Sequence, residues 1–483
     1  MIEEADVVVV GGGISGLTTA FAVHSRRPDL RLRVLEARSR TGGNIRTERV
    51  QDHVIDAGPD SFLRTKPHAI ELCRELGLES EFLTTRTQAR SAFVVHRGAL
   101  ERLPAGMVLA VPTRLGPMLR TPILSVPSKL RVLCDIVLPA RKTAGDESIG
   151  DFLTRRFGEQ AAARIGAPLL GGIYAGDVSN LSVRATFPQL AELEDRWGSV
   201  IYGLFAAQLA RASGDAPAAP SGKMARIRSL LAWMQRESDH GQSPFLSLRG
   251  GLGTLIDRLA ERLPPGTIRT DTPVRAIESE SGSFTIRTER GVLRARAVVV
   301  CSPAHAAAQF LPSGRLATEL GQIPYASTAT VFFSLSERAL THPLDGVGFI
   351  VPEGESEILA STWVSSKWDA RAPAGSVLLR AFLGGVRSPG LLERSDAELV
   401  GVAQRELERL MGPLGEPRFT RVYRYERASP QPTVGHPARM ERVRAELAAL
   451  PGLALAGAPY DGVGIPDCVR QGRAAAEAVL GRF

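Results

Sequence analysis

The sequence predicts an α/β protein with a Rossmann-like domain, a second domain built on a mixed sheet, and a helical subdomain. The β-branched run Val7–Val10 stops at a glycine turn, and helical spacing follows over Ile14–Arg26. A second strand over Leu30–Leu35 completes a β-α-β unit. Much later in the chain, the alternating strands Thr328–Leu335 and Val377–Leu383 indicate a separate sheet.

The region between these two sheets has a different character. From about Pro104 to Arg211 the strand signals fade, and helical segments punctuated by prolines replace them. The stretch Ser213–Gly222 has the composition of a flexible linker. We therefore expect a Rossmann-like domain of residues 1–87, 246–300 and 425–483, a second domain of residues 88–103 and 301–424, and a helical subdomain of residues 104–245.

Composition excludes several classes of protein. Hydrophobic residues make up 44% of the 483 residues and charged residues 23%, which is typical of a folded globular chain. The 59 basic residues exceed the 51 acidic ones, but they form no basic block, so we expect no nucleic-acid partner. A mild positive bias suits anionic lipid headgroups or a polycarboxylate substrate better. The four cysteines lie far apart without metal-ligand spacing, so we expect no metal site and a cytoplasmic location.

The glycine turn after the first strand carries a dinucleotide fingerprint. Gly11, Gly13 and Gly16 fit the spacing GxGxxG, in which the glycines permit a tight turn, close approach to a pyrophosphate and close packing of helix on sheet. Glu36 stands at the end of the second strand, where a carboxylate can bind the hydroxyl groups of a ribose. NAD and FAD share this fingerprint, so the residues that follow have to distinguish them.

The segment Leu35–Thr47, LEARSRTGGNIRT, resembles the signature of the amine-oxidase-like FAD superfamily. This resemblance implies that Arg38 pairs with a phosphate and that Gly42 and Gly43 bring backbone close to the dinucleotide. Two further segments resemble the same superfamily: LRGGL at 248–252 with a following strand, and the glycine-rich tail. They add the cofactor-binding residues Val274, Gly457, Val463, Gly464 and Asp467. Cys468 lies inside the predicted closing helix rather than in a loop, so we expect the FAD to be non-covalent.

Other motifs narrow the resemblance to the protoporphyrinogen oxidase family. DAGPDSF at 56–62, which includes Gly58, GGIYAGD at 171–177, GVGFIVP at 346–352 and RAFLGGVR at 380–387 all resemble segments of that family, and the match runs over nearly the whole chain. It implies an enzyme of heme biosynthesis that converts protoporphyrinogen IX to protoporphyrin IX by six-electron oxidation. Hydride would pass to FAD, and dioxygen would be the usual electron acceptor.

The resemblance also assigns a substrate site. Gly172 lies beside the carbon that gives up hydride, and Ile350 and Phe382 match positions that sandwich the macrocycle. Thr362 stands where the family often has leucine. Arg90 is the candidate for the substrate carboxylate, although it lies two residues before the family's usual position. No acid–base constellation appears, which fits a reaction governed by substrate positioning.

Several alternatives stay open at this stage. Coproporphyrinogen III differs from protoporphyrinogen IX only in peripheral groups, so the sequence does not separate these two substrates. A flavin amine oxidase is disfavoured because no lysine lies between Lys223 and Lys367. A carotenoid desaturase and a catalytically silent dinucleotide-binding protein are the remaining candidates. A homodimer, and peripheral contact of the helical subdomain with the inner face of the cell membrane, are also considered.

Overall fold

The computed structural model of the chain describes residues 2–87, 91–142, 145–213, 243–280, 282–312 and 314–483. The predicted linker is therefore outside the described residues except for Ser213. Outside the helical region, the described residues form eight helices of seven or more residues around two large sheets: Ile14–Arg26, His68–Glu75, Gly253–Glu261, Ala304–Phe310, Arg315–Gly321, Asp396–Met411, His436–Ala448 and Ile465–Leu480. The mixed α/β architecture agrees with the fold class that the sequence predicts.

The first sheet has seven strands and carries the predicted β-α-β unit. Its parallel part has the order Ile268–Arg269, Leu32–Leu35, Ile2–Val10 and Gly291–Val300. The long last strand, Gly291–Val300, pairs at its carboxyl end with the parallel strand Leu453–Leu455. Nearer its start it pairs with the antiparallel strand Ser283–Thr288, which in turn pairs with Val274–Glu280. The core strand Val7–Val10 is fully or almost fully buried, as expected for a parallel strand covered on both faces.

The second sheet also has seven strands, and it is antiparallel except at one pairing. Its order is Phe419–Pro430, Tyr325–Ser336, Ser376–Gly384, Ala360–Trp363, Gly348–Ile350, Phe93–His96 and Ala99–Arg102. The helix Asp396–Met411 packs on one face, and Ser395 begins it with a capping box completed by Glu398. The other face is turned toward the first domain, where Phe332 packs with Ile55 and Ala57.

The helical region has one element that sequence periodicity did not indicate. A small hairpin of Met107–Val108 and Val111–Pro112 precedes the helices; its turn residues Leu109 and Ala110 have positive φ without the usual glycine or asparagine signal. The elements that follow are Leu115–Arg120, Val126–Leu133, Cys134–Ile136, Ile149–Phe157, Glu159–Ala161, Ala162–Gly171, Gly172–Tyr174, Val183–Thr186, Pro188–Trp197 and Val200–Ser213.

Besides the hairpin of Met107–Val108 and Val111–Pro112, two smaller sheets and short helical turns connect these parts. The strand pairs are Thr47–Val50 with His53–Asp56, and Phe245–Leu248 between Phe62–Leu63 and Phe82–Thr84; the short helical elements are Glu79–Glu81, Glu337–Ala339, Val364–Lys367 and Pro389–Glu393. Among the described residues, no helix is both long enough and apolar enough to cross a bilayer. The division into domains at the predicted boundaries stays a prediction.

Candidate active site

The fingerprint turn leaves no room for side chains at two of its three glycines. Gly11 has a φ of +110°, and a Cβ added there would lie 3.0 Å from the backbone of Cys301. A Cβ on Gly16 would lie 1.9 Å from the carbonyl oxygen of Gly11. Gly13 is different, since an added Cβ would meet only Gly43, at 3.9 Å. Gly13 also begins the helix Ile14–Arg26 without a side-chain cap, so the helix N-terminus is available to an anion.

Glu36 lies buried at the end of the second strand and faces this turn. Its two carboxylate oxygens accept hydrogen bonds from the backbone N–H groups of Gly12, at 2.7 Å, and Arg38, at 2.8 Å. A carboxylate has about four acceptor positions, so both oxygens can still accept from ribose hydroxyls. The carbonyl oxygen of Glu36 accepts from Thr272, at 2.8 Å, which brings the segment before Val274 to the same place.

A second glycine loop lies against the first one. The Gly42 N–H donates to the Gly12 carbonyl oxygen at 2.8 Å, and a Cβ on Gly43 would lie 3.3 Å from the Cα of Gly13. Two arginines border this contact: Arg40 donates to the Gly43 carbonyl oxygen at 2.9 Å, and Arg38 donates to the same oxygen at 3.4 Å. The two bare backbones and the guanidinium groups form a cradle suited to a pyrophosphate.

Electrostatics at this cradle also favour an anion. Burial lowers the pKa of the Arg40 guanidinium, and the nearby Arg38 and Arg46 lower it further. A bound pyrophosphate would relieve this repulsion between cations. Sequence reasoning selected Arg38 and missed Arg40, although both stand in the same quoted segment; the more buried position of Arg40 became visible only in the fold.

Gly58 packs against the segment that follows the second glycine loop. A Cβ there would lie 2.0 Å from the carbonyl oxygen of Asn44 and 3.2 Å from the hydroxyl of Tyr425. The preceding carbonyl oxygen, that of Ala57, accepts a hydrogen bond of 2.8 Å from Arg380. Neither Tyr425 nor Arg380 was selected from the sequence, because each comes from a distant strand.

The glycine-rich tail, called the closing motif below, forms the strand Leu453–Leu455, a turn and the predicted closing helix Ile465–Leu480. Gly457 has a φ of +143°, and its N–H donates to Gln471 at 3.2 Å. Gly464 begins the helix Ile465–Leu480 without a side-chain cap. Asp467 in the first turn of that helix forms an ion pair of 2.6 Å with Lys66, which fixes the helix N-terminus to the loop after Phe62–Leu63.

The three residues predicted to contact the macrocycle lie on one face of the second sheet. Ile350 and Phe382 both pair with Ala360, from opposite sides, while Thr362 pairs with Arg380 two residues along the same strands. Directly paired residues, and residues two apart on a strand, share a face. Ile350 also packs against the apolar cluster of the helical region, which Val463 of the closing motif contacts as well.

Gly172 follows a π-helix, Ala162–Gly171, whose irregular hydrogen bonding accommodates Pro168. Gly172 is exposed, and a Cβ added there would meet no heavy atom within 4 Å. The backbone just after it is held firmly, because the Tyr174 carbonyl oxygen accepts from Gln431 at 2.8 Å and that of Ala175 accepts from Val386 at 3.0 Å. This segment therefore contacts the strand ends beside Phe382.

Arg90 lies outside the described residues. The candidate ligand for the substrate carboxylate therefore stays a prediction. Among the residues that the structure does describe, no group of three His, Cys, Asp or Glu side chains could hold a metal ion.

Comparisons with known proteins agree on one relationship. The family of flavin containing amine oxidoreductases matches residues 14–480. The coproporphyrinogen III oxidase of Bacillus subtilis is 34% identical, over 98% of this chain and 97% of its own length. The chloroplastic protoporphyrinogen oxidase of Nicotiana tabacum is 30% identical, over 99% of this chain and 86% of its own length.

Solved structures extend this relationship to the fold. A crystal structure from Exiguobacterium sp. 255-15, of a protein provisionally named a protoporphyrinogen oxidase, superimposes with a TM-score of 0.84 at 33% identity over 100% of both chains. A putrescine oxidase variant superimposes with a TM-score of 0.71 at only 17% identity, which is a likeness of fold alone.

Proposed function

Because the chain belongs to the flavin containing amine oxidoreductases and, within them, to the porphyrinogen oxidases of heme biosynthesis, we propose that it oxidises coproporphyrinogen III by six electrons. FAD is its cofactor and supplies the hydride acceptor, and we propose dioxygen as the final electron acceptor. The observation that carries the proposal is the full-length similarity to porphyrinogen oxidases, and the pyrophosphate cradle and the sheet face of Ile350, Thr362 and Phe382 support it.

The chain's own residues would hold the cofactor along a path from Glu36 to the closing helix. Glu36 would accept from the ribose, Gly13 and Gly43 would let the pyrophosphate approach backbone, and Arg38 and Arg40 would neutralise its charge. The uncapped start of the helix at Gly464 presents N–H groups and the positive end of the helix dipole.

The remaining work of the site is to position the substrate. Ile350, Thr362 and Phe382 contribute uncharged side chains to one sheet face, on which Arg380 is buried beside Phe382, and the bare backbone of Gly172 leaves space for a flat macrocycle. Such surfaces exclude water and restrict orientation without transferring protons. Dehydrogenation also releases one proton for each hydride, and we propose that this proton passes to solvent.

The choice of coproporphyrinogen III rests on the bacterial relatives. Proteins of that name from Bacillus subtilis, Staphylococcus aureus and Propionibacterium freudenreichii are 30–34% identical, each over 98% of this chain. Protoporphyrinogen IX, the substrate expected from the sequence, is the second candidate, because relatives of that name from plants reach 30% identity.

Aerobic turnover of both porphyrinogens, followed by porphyrin fluorescence, tests the proposal. We expect kcat/KM for coproporphyrinogen III to exceed that for protoporphyrinogen IX at least tenfold, with an anaerobic reaction as the control for dioxygen. A preference for protoporphyrinogen IX would replace the substrate assignment. No turnover of either compound by a yellow, FAD-loaded protein would overturn the proposed function.

A further inference from the structure

Arg380 is a buried cation whose hydrogen bonds are incomplete. It is only 6% exposed and lies on the same sheet face as Thr362 and Phe382. It donates to the Ala57 carbonyl oxygen at 2.8 Å, and its guanidinium lies 4.3 Å from the centre of the Phe382 ring. Its Nε has no hydrogen-bond partner among the described residues. A buried donor without a partner is costly, so it calls for an explanation.

Tyr425 presents a second buried polar atom of the same kind. Its hydroxyl is inaccessible and has no hydrogen-bond partner in the part of the chain that the structure describes. The hydroxyl borders Gly58, as the 3.2 Å distance from an added Cβ shows. Tyr423 and Phe382 pair with Thr330 from opposite sides, so these three residues share a sheet face. Tyr425 and Arg380 each lie two residues from a member of this row, so they lie on the same face.

The two incomplete groups border one loop, Ala57–Gly58. Arg380 contacts the first of these residues and Tyr425 the second. Burial raises the pKa of the Tyr425 hydroxyl, and the positive charges of Arg380 and Arg40 oppose part of this rise. The loop itself packs on Asn44, immediately after the glycine cradle.

We propose that Arg380 and Tyr425 hydrogen-bond the ring system of the bound FAD beside Gly58. An isoalloxazine offers carbonyl oxygens and ring nitrogens that accept from Nε–H and from a hydroxyl, and an N–H group that donates to a hydroxyl. The cation also favours the electron-rich reduced flavin. The proposal rests on FAD as the cofactor and is independent of which porphyrinogen is oxidised.

Tyr425→Phe is the sharpest test, since it removes only the hydroxyl. In the holoenzyme we expect the Kd for FAD, measured from flavin fluorescence on dilution, to rise about tenfold. Without added FAD the variant should melt no lower than wild type, because an unpartnered buried hydroxyl has been removed. A purely structural hydroxyl would not combine weaker flavin binding with undiminished stability.

Tyr423→Phe is the matched control on the same strand and face. Its hydroxyl already donates to Glu48 at 2.9 Å, so its loss should lower the melting temperature and leave the Kd for FAD within twofold. Arg380→Met should weaken FAD binding and make the flavin midpoint potential more negative, and Arg380→Lys should restore part of the potential.

The decisive outcome is that of Tyr425→Phe, which keeps its aromatic ring and therefore its packing. An unchanged Kd and an unchanged potential in this variant would overturn the proposal, even if porphyrinogen turnover is established. If Tyr425→Phe binds FAD more weakly while the wild-type holoenzyme oxidises neither porphyrinogen, the proposed flavin contact stands and the proposed function fails.

Discussion

Replacing Gly172 with alanine adds one methyl group at a position where the fold itself has room for it. The backbone at Gly172 is helical, with φ −59° and ψ −33°, which alanine adopts without strain. No heavy atom lies within 4 Å of the added Cβ. Removing glycine's freedom in the unfolded chain should therefore stabilise the protein by roughly 0.4–1 kcal/mol.

Activity should respond in the opposite direction. If the macrocycle lies against this bare backbone, the methyl group displaces it by about 1 Å, and such a misplacement costs about a hundredfold in rate. That corresponds to roughly 2.7 kcal/mol of lost transition-state stabilisation. We expect kcat/KM in the porphyrin fluorescence assay to fall about a hundredfold, with flavin content unchanged and the melting temperature no lower than that of wild type.

Two further glycines serve as controls. Gly401→Ala places a methyl group on the helix Asp396–Met411, which packs on the opposite face of the second sheet, so it should leave turnover unchanged. Gly171→Ala would bring a Cβ within 3.0 Å of Val178 and 3.1 Å of the Gly176 carbonyl oxygen, so it should destabilise the segment. Near-normal turnover of Gly172→Ala, or a loss of activity that merely follows lost flavin, would refute the reasoning.

Three other predictions follow from particular contacts. Glu36→Ala should weaken FAD binding about ten- to a hundredfold, and unchanged flavin occupancy at limiting FAD would count against the ribose assignment. Val126 and Leu130 are 69% and 60% exposed, and Lys129, Arg131 and Lys142 stand near them in the sequence, so we expect salt-sensitive sedimentation with anionic vesicles; equal recovery with neutral vesicles would remove the membrane idea. Lys367→Met should destabilise the protein by about 1.5–3 kcal/mol at pH 7, measured by urea unfolding, because it removes a charged hydrogen-bond donor from the largely buried Asp60 carboxylate, which keeps Arg380 nearby and the Trp368 indole N–H at 3.0 Å. Burial raises the pKa of Asp60, but the positive charges of Lys367 and Arg380 lower it by more, so the net shift is downward. The stabilisation by the Lys367–Asp60 ion pair is therefore fully present above the unfolded pKa of 3.8 and should be lost only in stronger acid. Loss of this stabilisation already at pH 5 would contradict the prediction.

Elements whose signals are local could be predicted correctly from the sequence. The helices Ile14–Arg26 and Ile465–Leu480 begin and end at the predicted residues, because glycine turns precede them and their apolar spacing is regular. The turn of Gly11, Gly13 and Gly16 could be predicted for the same reason, since the required backbone conformation and close packing depend on residues a few positions apart.

The edges of weaker elements were less accurate. The second strand begins at Leu32 rather than Leu30, and the first strand extends back to Ile2. Pairing with neighbouring strands decides these limits, as Val7 to Val10 pair with Leu32 to Leu35. The hairpin at the start of the helical region was not predicted, because its turn residues, Leu109 and Ala110, carry no turn signal.

Which distant residues complete the site depends on long-range packing. Lys66 meets Asp467 across 401 positions, and Arg380 meets Ala57 across 323. No local pattern records such a meeting, because it depends on how strands of the second sheet are ordered and registered against the first domain. The same register gives Ile350, Thr362 and Phe382 a common face and brings the Tyr425 hydroxyl to Gly58. Local sequence thus specified the glycine cradle, and long-range packing supplied the charged and polar groups around it.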